Sequence, residues 1–263
     1  MDPVRGSTSE GSAAVTAHHA ATVATPLPEA QPLLAVRDVT VRYGRFTALR
    51  DVTLDVREGA FHGVIGPNGA GKSTLMDAVT GSRRPAAGSV LFDGREIARS
   101  RIAARRRLGI SRSFQRTSIF PELTVGEQLG LVGDHLGDQD VDAVLEIMSL
   151  AALRDRVAGT IAYGDQRRVD IALALLGKPR LLVLDEPAAG LSVEETDTLF
   201  EHLRTLVRER GVTALVVEHD VDAVFASCDT VTVLDLGQVL RSGDARTVRS
   251  DPAVIAAYLG SAA

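Results

Sequence analysis

One stretch limits what this chain can fold into more than any other. Residues Gly66-Pro67-Asn68-Gly69-Ala70-Gly71-Lys72-Ser73-Thr74 satisfy the spacing G-x-x-x-x-G-K-S. The apolar run Ala60-Phe61-His62-Gly63-Val64-Ile65 stands before them, and the helix-like Leu75-Met76-Asp77-Ala78-Val79 follows. A strand buried on both faces therefore runs through a glycine loop into a helix. Such a loop holds adjacent phosphate charges without bulky side chains covering them. Its glycines let backbone N–H groups turn inward, the helix N-terminus adds partial positive charge, and Lys72 brings a full one to the terminal phosphates. A chance glycine turn would not carry this strand before it and this helix after it. The ligand expected is a nucleoside triphosphate, with the Ser73 hydroxyl on Mg²⁺.

A second element is needed to complete the metal site and activate water. The run Leu181-Leu182-Val183-Leu184 reads as a buried strand and ends in Asp185-Glu186. If the extended geometry persists, the two carboxylates point to opposite sides. Asp185 is then assigned to Mg²⁺ and Glu186 to the attacking water as general base. On its own, a strand ending in Asp-Glu is a common surface turn, and the phosphate loop upstream is what makes it a catalytic candidate.

The rest of the chain frames these two motifs. Residues 1 to about 32 are rich in small residues and lack periodicity, and they are read as a disordered N-terminal extension. His18-His19 within it lacks other ligand types and is read as a solvated pair rather than a metal site. Strand-like runs at Leu34 to Tyr43 and Leu49 to Val56 suggest an antiparallel pair. The segment from about Arg95 to Leu153 is the most helical and polar, and apolar residues at 141, 144, 145 and 148 follow one helix face, with Met148 as ordinary core. Beyond it, a helix is expected over Val193 to Arg210, a buried strand over Thr213 to Val217, a helix over Val221 to Ala226 and a strand over Thr230 to Leu236. Alternating strands and helices imply a mainly parallel sheet. No apolar run approaches the roughly 18 residues of a membrane-spanning helix, and the single cysteine, Cys228, excludes an internal disulfide. With 34 Asp+Glu against 29 Lys+Arg, no global charge argues for nucleic acid, so phosphate binding must be local.

The ordered set of motifs over residues 34 to 260 resembles the nucleotide-binding subunits of ABC transporters. Tyr43 matches the aromatic that stacks on adenine, Gly66 to Thr74 the phosphate loop, and Gln115 in Ser113-Phe114-Gln115 the glutamine loop. Ile161-Ala162-Tyr163-Gly164-Asp165-Gln166-Arg167-Arg168 matches the family signature, Leu182 to Glu186 the acidic strand end, Ala189-Gly190-Leu191-Ser192 the loop after it, and His219 the switch histidine. The phrases Ile119-Phe120-Pro121-Glu122-Leu123-Thr124-Val125, Tyr163 to Arg168, and Asp251 to Gly260 are most similar to the ATPases of branched-chain, or hydrophobic, amino acid importers. Importers of urea or short amides share them, and the lipopolysaccharide-export ATPase has a similar signature.

This resemblance implies an α/β fold, a P-loop NTPase cassette over residues 33–263 with a mainly parallel core sheet. To it are added an N-terminal antiparallel β subdomain and an inserted α-helical subdomain at about 95–165. It implies ATP and Mg²⁺ as cofactors, with Ser73, Gln115 and Asp185 on the metal and Glu186, His219 and Gln115 as catalytic groups. Partners would be a second ATPase subunit, transmembrane permeases and, indirectly, a solute-binding protein, at the cytoplasmic face of the plasma membrane. Two ATP molecules would lie between the subunits, each held by the phosphate loop of one and by Ala162, Tyr163, Gly164 and Asp165 of the other. The chain departs from the family at Ala162, where serine is usual, and at Ser192, where Asp or Asn is common. The arginines at 99, 101, 105, 106, 107 and 112 lack interleaved aromatics and are read as a solvated helical face near the membrane partner, not a nucleic-acid surface. A soluble, non-transport ABC ATPase is the competing class, but the paired cassettes or long coiled coil usual there are absent.

Overall fold

The computed structural model describes residues 31–113, 117–138 and 140–259; the first 30 residues, including His18-His19, and Gln115 lie outside the described residues. The chain opens with β1 (Leu34–Tyr43) and β2 (Phe46–Val56), an antiparallel hairpin turned at Gly44. Then come β3 (Phe61–Ile65), the glycine loop and α1 (Lys72–Thr80). Next are β4 (Ala87–Phe92), β5 (Arg95–Glu96), α2 (Ile102–Arg107) and β6 (Ile110–Ser113). Helices α3 (Val125–Leu136), α4 (Val141–Ile147) and α5 (Tyr163–Leu175) lie between β6 and β7 (Leu181–Asp185). The final part is α6 (Val193–Arg210), β8 (Thr213–Val217), α7 (Val221–Ser227), β9 (Thr230–Asp235), β10 (Gln238–Asp244), α8 (Ala245–Arg249) and α9 (Pro252–Leu259).

Two sheets result. The first is antiparallel, in the order β2-β1-β4-β5; the second runs β10-β9-β3-β8-β7-β6 and is parallel except for β10 at one edge. Strands β3, β7 and β8 are buried at every residue, as their unbroken apolar runs predict. Their alternation divides the core. Leu182, Leu184, Ala214 and Val216 face the helices α5 and α6, while Leu181, Val183, Leu215 and Val217 face α1 and the antiparallel sheet. Phe61 on β3 stacks on Phe200 of α6 with ring centroids 5.9 Å apart. Helix α6 begins in a capping box, where Ser192 accepts from the Glu195 N–H at 3.2 Å and Glu195 accepts from the Ser192 N–H at 2.9 Å. The stripe on α4 behaves as its spacing predicts, with Leu145 and Met148 buried in the core and Val141 and Val144 packed against it.

The arginine-rich stretch does not form a solvated face. Arg105 is only 1% exposed: its Nη1 donates to the carbonyls of Ala78 and Val79, each at 2.6 Å, and its Nε to Ser100 at 3.2 Å. The carbonyl end of α1 attracts this cation, because the last turn of a helix has unpaired acceptors and the negative end of the helix dipole. Arg106 donates to the Leu176 carbonyl, and Arg112 lies on β6 rather than on a helix. Only Arg99, Arg101 and Arg107 remain exposed as expected.

His62, in the middle of the parallel sheet, gives the fold an acid limit. Both ring nitrogens are engaged, by the hydroxyls of Thr232 at 2.9 Å and Thr230 at 2.8 Å, and burial pushes its pKa down to about 4. An unfolded chain takes up a proton on this histidine near its ordinary value of about 6.5. The folded protein resists until about pH 4, so this contribution to stability is complete above pH 6.5 and drains away as the pH falls toward 4. The expected loss is about 3 kcal/mol over that window. In urea titrations at pH 7.5, 6 and 5, His62→Gln should flatten the acid slope; an unchanged slope would exclude His62 as its source.

Candidate active site

The glycine loop is held tightly on both sides. A Cβ on Gly66 would lie 2.1 Å from the Leu234 carbonyl oxygen, and one on Gly71, at φ +100°, would lie 2.6 Å from Leu49 Cδ2 and 2.9 Å from the Ala48 carbonyl oxygen. Neither position accepts a side chain. The first intrahelical bond of α1 runs from the Leu75 N–H to the Gly71 carbonyl at 2.9 Å. The N–H groups of Lys72, Ser73 and Thr74 are thus left at the helix N-terminus, where an anion is favoured. Lys72 donates to the carbonyls of Gly66 at 2.6 Å and Pro67 at 3.1 Å. Burial lowers its pKa, and the nearby carboxylates of Glu186 and Asp185 oppose that shift.

A cleft of about 320 Å³ collects most of the residues expected from sequence: Tyr43, Asn68 to Thr74, Glu186 and His219. Phe46 and Ala48 of β2 also line it, and Phe46, exposed at the strand start, was not anticipated. Its position after the Gly44 turn, three residues from Tyr43, is the only signal in the sequence. Tyr43 carries the guanidinium of Arg83 on one ring face, 4.1 Å from the centroid, which leaves the other face for a planar ligand.

The two acidic residues separate, but not by strand alternation. Strand β7 ends at Asp185, and Glu186 turns into the left-handed region at φ +49°. A non-glycine residue persists there only when its surroundings over-determine it. Three groups do so: the Val217 carbonyl, the Arg167 guanidinium and the Glu218 carboxylate. The Glu186 N–H donates to the Val217 carbonyl at 2.9 Å, and the Glu186 carbonyl accepts from Arg167 Nη2 at 2.7 Å. Arg167, fully buried on α5, also donates to the carbonyls of Pro187 at 2.9 Å and Asp185 at 3.3 Å. The buried Glu218 carboxylate, whose pKa burial raises, accepts the N–H groups of Ala188 at 2.7 Å and His219 at 3.1 Å. The Glu186 side chain therefore swings into the cleft, where His219 Nε2 donates to its Oε1 at 2.7 Å. Asp185 stays inside, with its Oδ2 accepting from Arg112 at 2.6 Å. Sequence reasoning missed Arg167, Glu218 and Arg112 as supports.

Ala162, Tyr163, Gly164 and Asp165 do not line this cleft. They open α5, with Ala162 at the N-cap and no side chain there to accept a hydrogen bond. Gly164 and Asp165 face a separate hollow of about 230 Å³ together with Leu191, Glu194 and Glu195. Ser192 is engaged in the capping box of α6.

A strand, phosphate loop and helix beside a Glu–His pair, on a parallel sheet flanked by an antiparallel one, define a P-loop ATPase cassette. Comparison with known proteins makes the class specific. A family model described as ABC transporter matches residues 49–189, and one described as branched-chain amino acid ATP-binding cassette transporter matches residues 239–263. The chain is 37% identical to the high-affinity branched-chain amino acid transport ATP-binding protein BraF of Pseudomonas aeruginosa, covering 88% of this chain and 99% of BraF. It is 35% identical to LivG of Escherichia coli K12, a protein of the same description, with the same coverage. The crystal structure of the ADP conformation of an ATP-binding cassette of an ABC transporter superposes with a TM-score of 0.81 at 31% identity, covering 88% of this chain and all of that one. The chain belongs to the ABC transporter family, as an ATP-binding and ATP-hydrolysing subunit. No helix among the described residues is long and apolar enough to cross a membrane.

Proposed function

We propose that this chain powers the import of branched-chain or other hydrophobic amino acids, working from the cytoplasmic face of the membrane with permease subunits and a solute-binding protein. The reading is carried by one conjunction: a cleft that joins the phosphate loop to Glu186 and His219, in a chain whose C-terminal segment matches the branched-chain transporter model. A second copy, or a related ATPase subunit, closes the cleft by presenting the N-terminus of its own α5, so that Ala162, Tyr163, Gly164 and Asp165 act across the interface.

The residues present fit ATP and Mg²⁺. The cradle is made of N–H groups and glycines that exclude side chains, and the hard oxygens of Ser73 and Asp185 suit Mg²⁺, which keeps most of its shell as water and phosphate. Bound there, Mg²⁺ would neutralise charge on the β- and γ-phosphates. Lys72 would leave its two carbonyls for the terminal phosphates, and Tyr43 would stack on the base. Glu186 would take the proton of the attacking water while His219 holds that carboxylate in place and reaches the γ-phosphate. Gln115 would join metal and water from the segment after β6. Phe120, Leu131 and Leu136 line a groove of about 460 Å³ beside that strand, where a permease segment would dock.

Uptake by the assembled transporter tests the substrate. Proteoliposomes holding this chain and its permease partners, given the solute-binding protein, should accumulate labelled leucine in an ATP-dependent manner, with valine and isoleucine competing. Accumulation of urea instead, or none despite ATP turnover, would refute the reading. The Ala162 N-cap allows a second check. Ala162→Ser adds an acceptor for the α5 N-terminus, worth about 0.5–1 kcal/mol, and a donor for the opposing phosphate, worth about 1.5–3 kcal/mol. Melting without nucleotide reads the first, and steady-state phosphate release should rise about tenfold from the second. Turnover that stays level or falls would dismiss the missing hydroxyl as a limit.

A further inference from the structure

The buried carboxylate assigned to the metal already has a cation on it. Arg112 extends from β6, opposite Val183 in the parallel register, and its side chain is 9% exposed. Its Nη2 donates to Asp185 Oδ2 at 2.6 Å, and its Nη1 to Asp77 Oδ1 at 2.6 Å and Thr80 Oγ1 at 3.3 Å. One guanidinium therefore bridges the end of β7 to the outer turn of α1, the helix that begins at the phosphate loop. Lys72 lies close enough to act on Asp185 through space, but its ammonium donates to the Gly66 and Pro67 carbonyls and makes no such bridge.

We propose that Arg112 is a positioning residue for Asp185, a resident counter-cation that pairs with the carboxylate and holds it in place before Mg²⁺–ATP arrives and that lowers the site's metal affinity by occupying it. A carboxylate shielded from water is costly to leave unpaired, so Asp185 needs a partner in the nucleotide-free protein. The same shielding makes two cations on one carboxylate repel, so the guanidinium must yield ground to the metal. Asp77 and Thr80 give it somewhere to remain: releasing Asp185 does not leave Arg112 without an acceptor. Arg112 also lines the Phe120–Leu131 groove, so whatever fills that groove touches the side chain that holds Asp185.

The inference rests on Asp185 as the metal carboxylate, and binding measurements separate the two claims. ATP affinity is measured by fluorescent-nucleotide titration of the full chain with excess Mg²⁺ and with EDTA, for wild type, Arg112→Met and Arg112→Lys. If wild type binds ATP equally in both conditions, the metal assignment of Asp185 fails. If wild type responds to Mg²⁺, the Mg²⁺-to-EDTA affinity ratio should rise about tenfold in Arg112→Met, with a smaller rise in Arg112→Lys, whose point charge cannot bridge both aspartates. Arg112→Met should also melt lower than wild type without nucleotide, yet gain more from Mg²⁺–ATP. An unchanged or reduced ratio in a folded variant would overturn the proposal, because a merely structural arginine lowers melting without sharpening the response to metal. Should Arg112→Met fail to fold, the Arg112→Lys ratio decides alone.

Discussion

Glu186→Gln should lower steady-state ATP hydrolysis by about 10² to 10⁴-fold, the contribution typical of a positioned general base, and leave ATP binding within about threefold of wild type. Glutamine keeps the length of the side chain and an oxygen that can accept from His219 Nε2, so the 2.7 Å contact and the turn at φ +49° survive. What disappears is the proton acceptor. The charge removed is one of the two carboxylates that act on Lys72, so nucleotide affinity should move, if at all, toward tighter binding. Phosphate release measured beside fluorescent-nucleotide titration separates chemistry from binding. Wild-type turnover in this variant would take Glu186 out of the role of base.

Arg167→Met should cost about 3–5 kcal/mol of stability, the range for stripping the partner from a buried charged network. The side chain is wholly buried and serves the carbonyls of Asp185, Glu186 and Pro187, with Asp170 at 3.9 Å. Methionine fills much of the volume but donates nothing. The three carbonyls then lose the guanidinium and Asp170 loses its cation while keeping the donors of Ser113 and Ser118, and melting should fall by about 10 °C or more. Turnover should fall further than unfolding explains, because the left-handed turn that aims Glu186 loses the contact on its carbonyl. Arg167→Lys, with one ammonium in place of a planar fork, should recover part of the stability and little of the activity. A change below about 1 kcal/mol in denaturant titration would show that the carbonyls find other donors.

Much of the molecule was legible because its signals are local. The phosphate loop reveals itself through glycine spacing between an unbroken apolar run and a helical one. Helix α6 was readable to the residue, since Ser192 and Glu195 form its capping box and Gly211 stops it in the left-handed region at φ +64°. Strand β6 was hidden in a segment read as helical, because Ile110-Ser111-Arg112-Ser113 has one apolar residue and owes its burial to β7 alongside and α5 over it. Arg105 looked like part of a solvated run; only the carbonyl end of α1, folded against it, shows why a cation lies inside. Strand β10 and helix α8 likewise carry too few apolar residues to announce themselves.

By itself, the sequence determined the phosphate cradle, the acidic strand end and the histidine after β8, because each is a short pattern whose chemistry depends on backbone spacing. Tertiary structure alone decided where the carboxylates point. Strand alternation would have sent Asp185 and Glu186 to opposite faces, yet the divergence comes from a backbone turn that an L-residue rarely adopts, held by Arg167 on one helix and Val217 on a neighbouring strand. A conformation with an intrinsic cost leaves no local trace, since the contacts that sustain it come from residues distant in the chain.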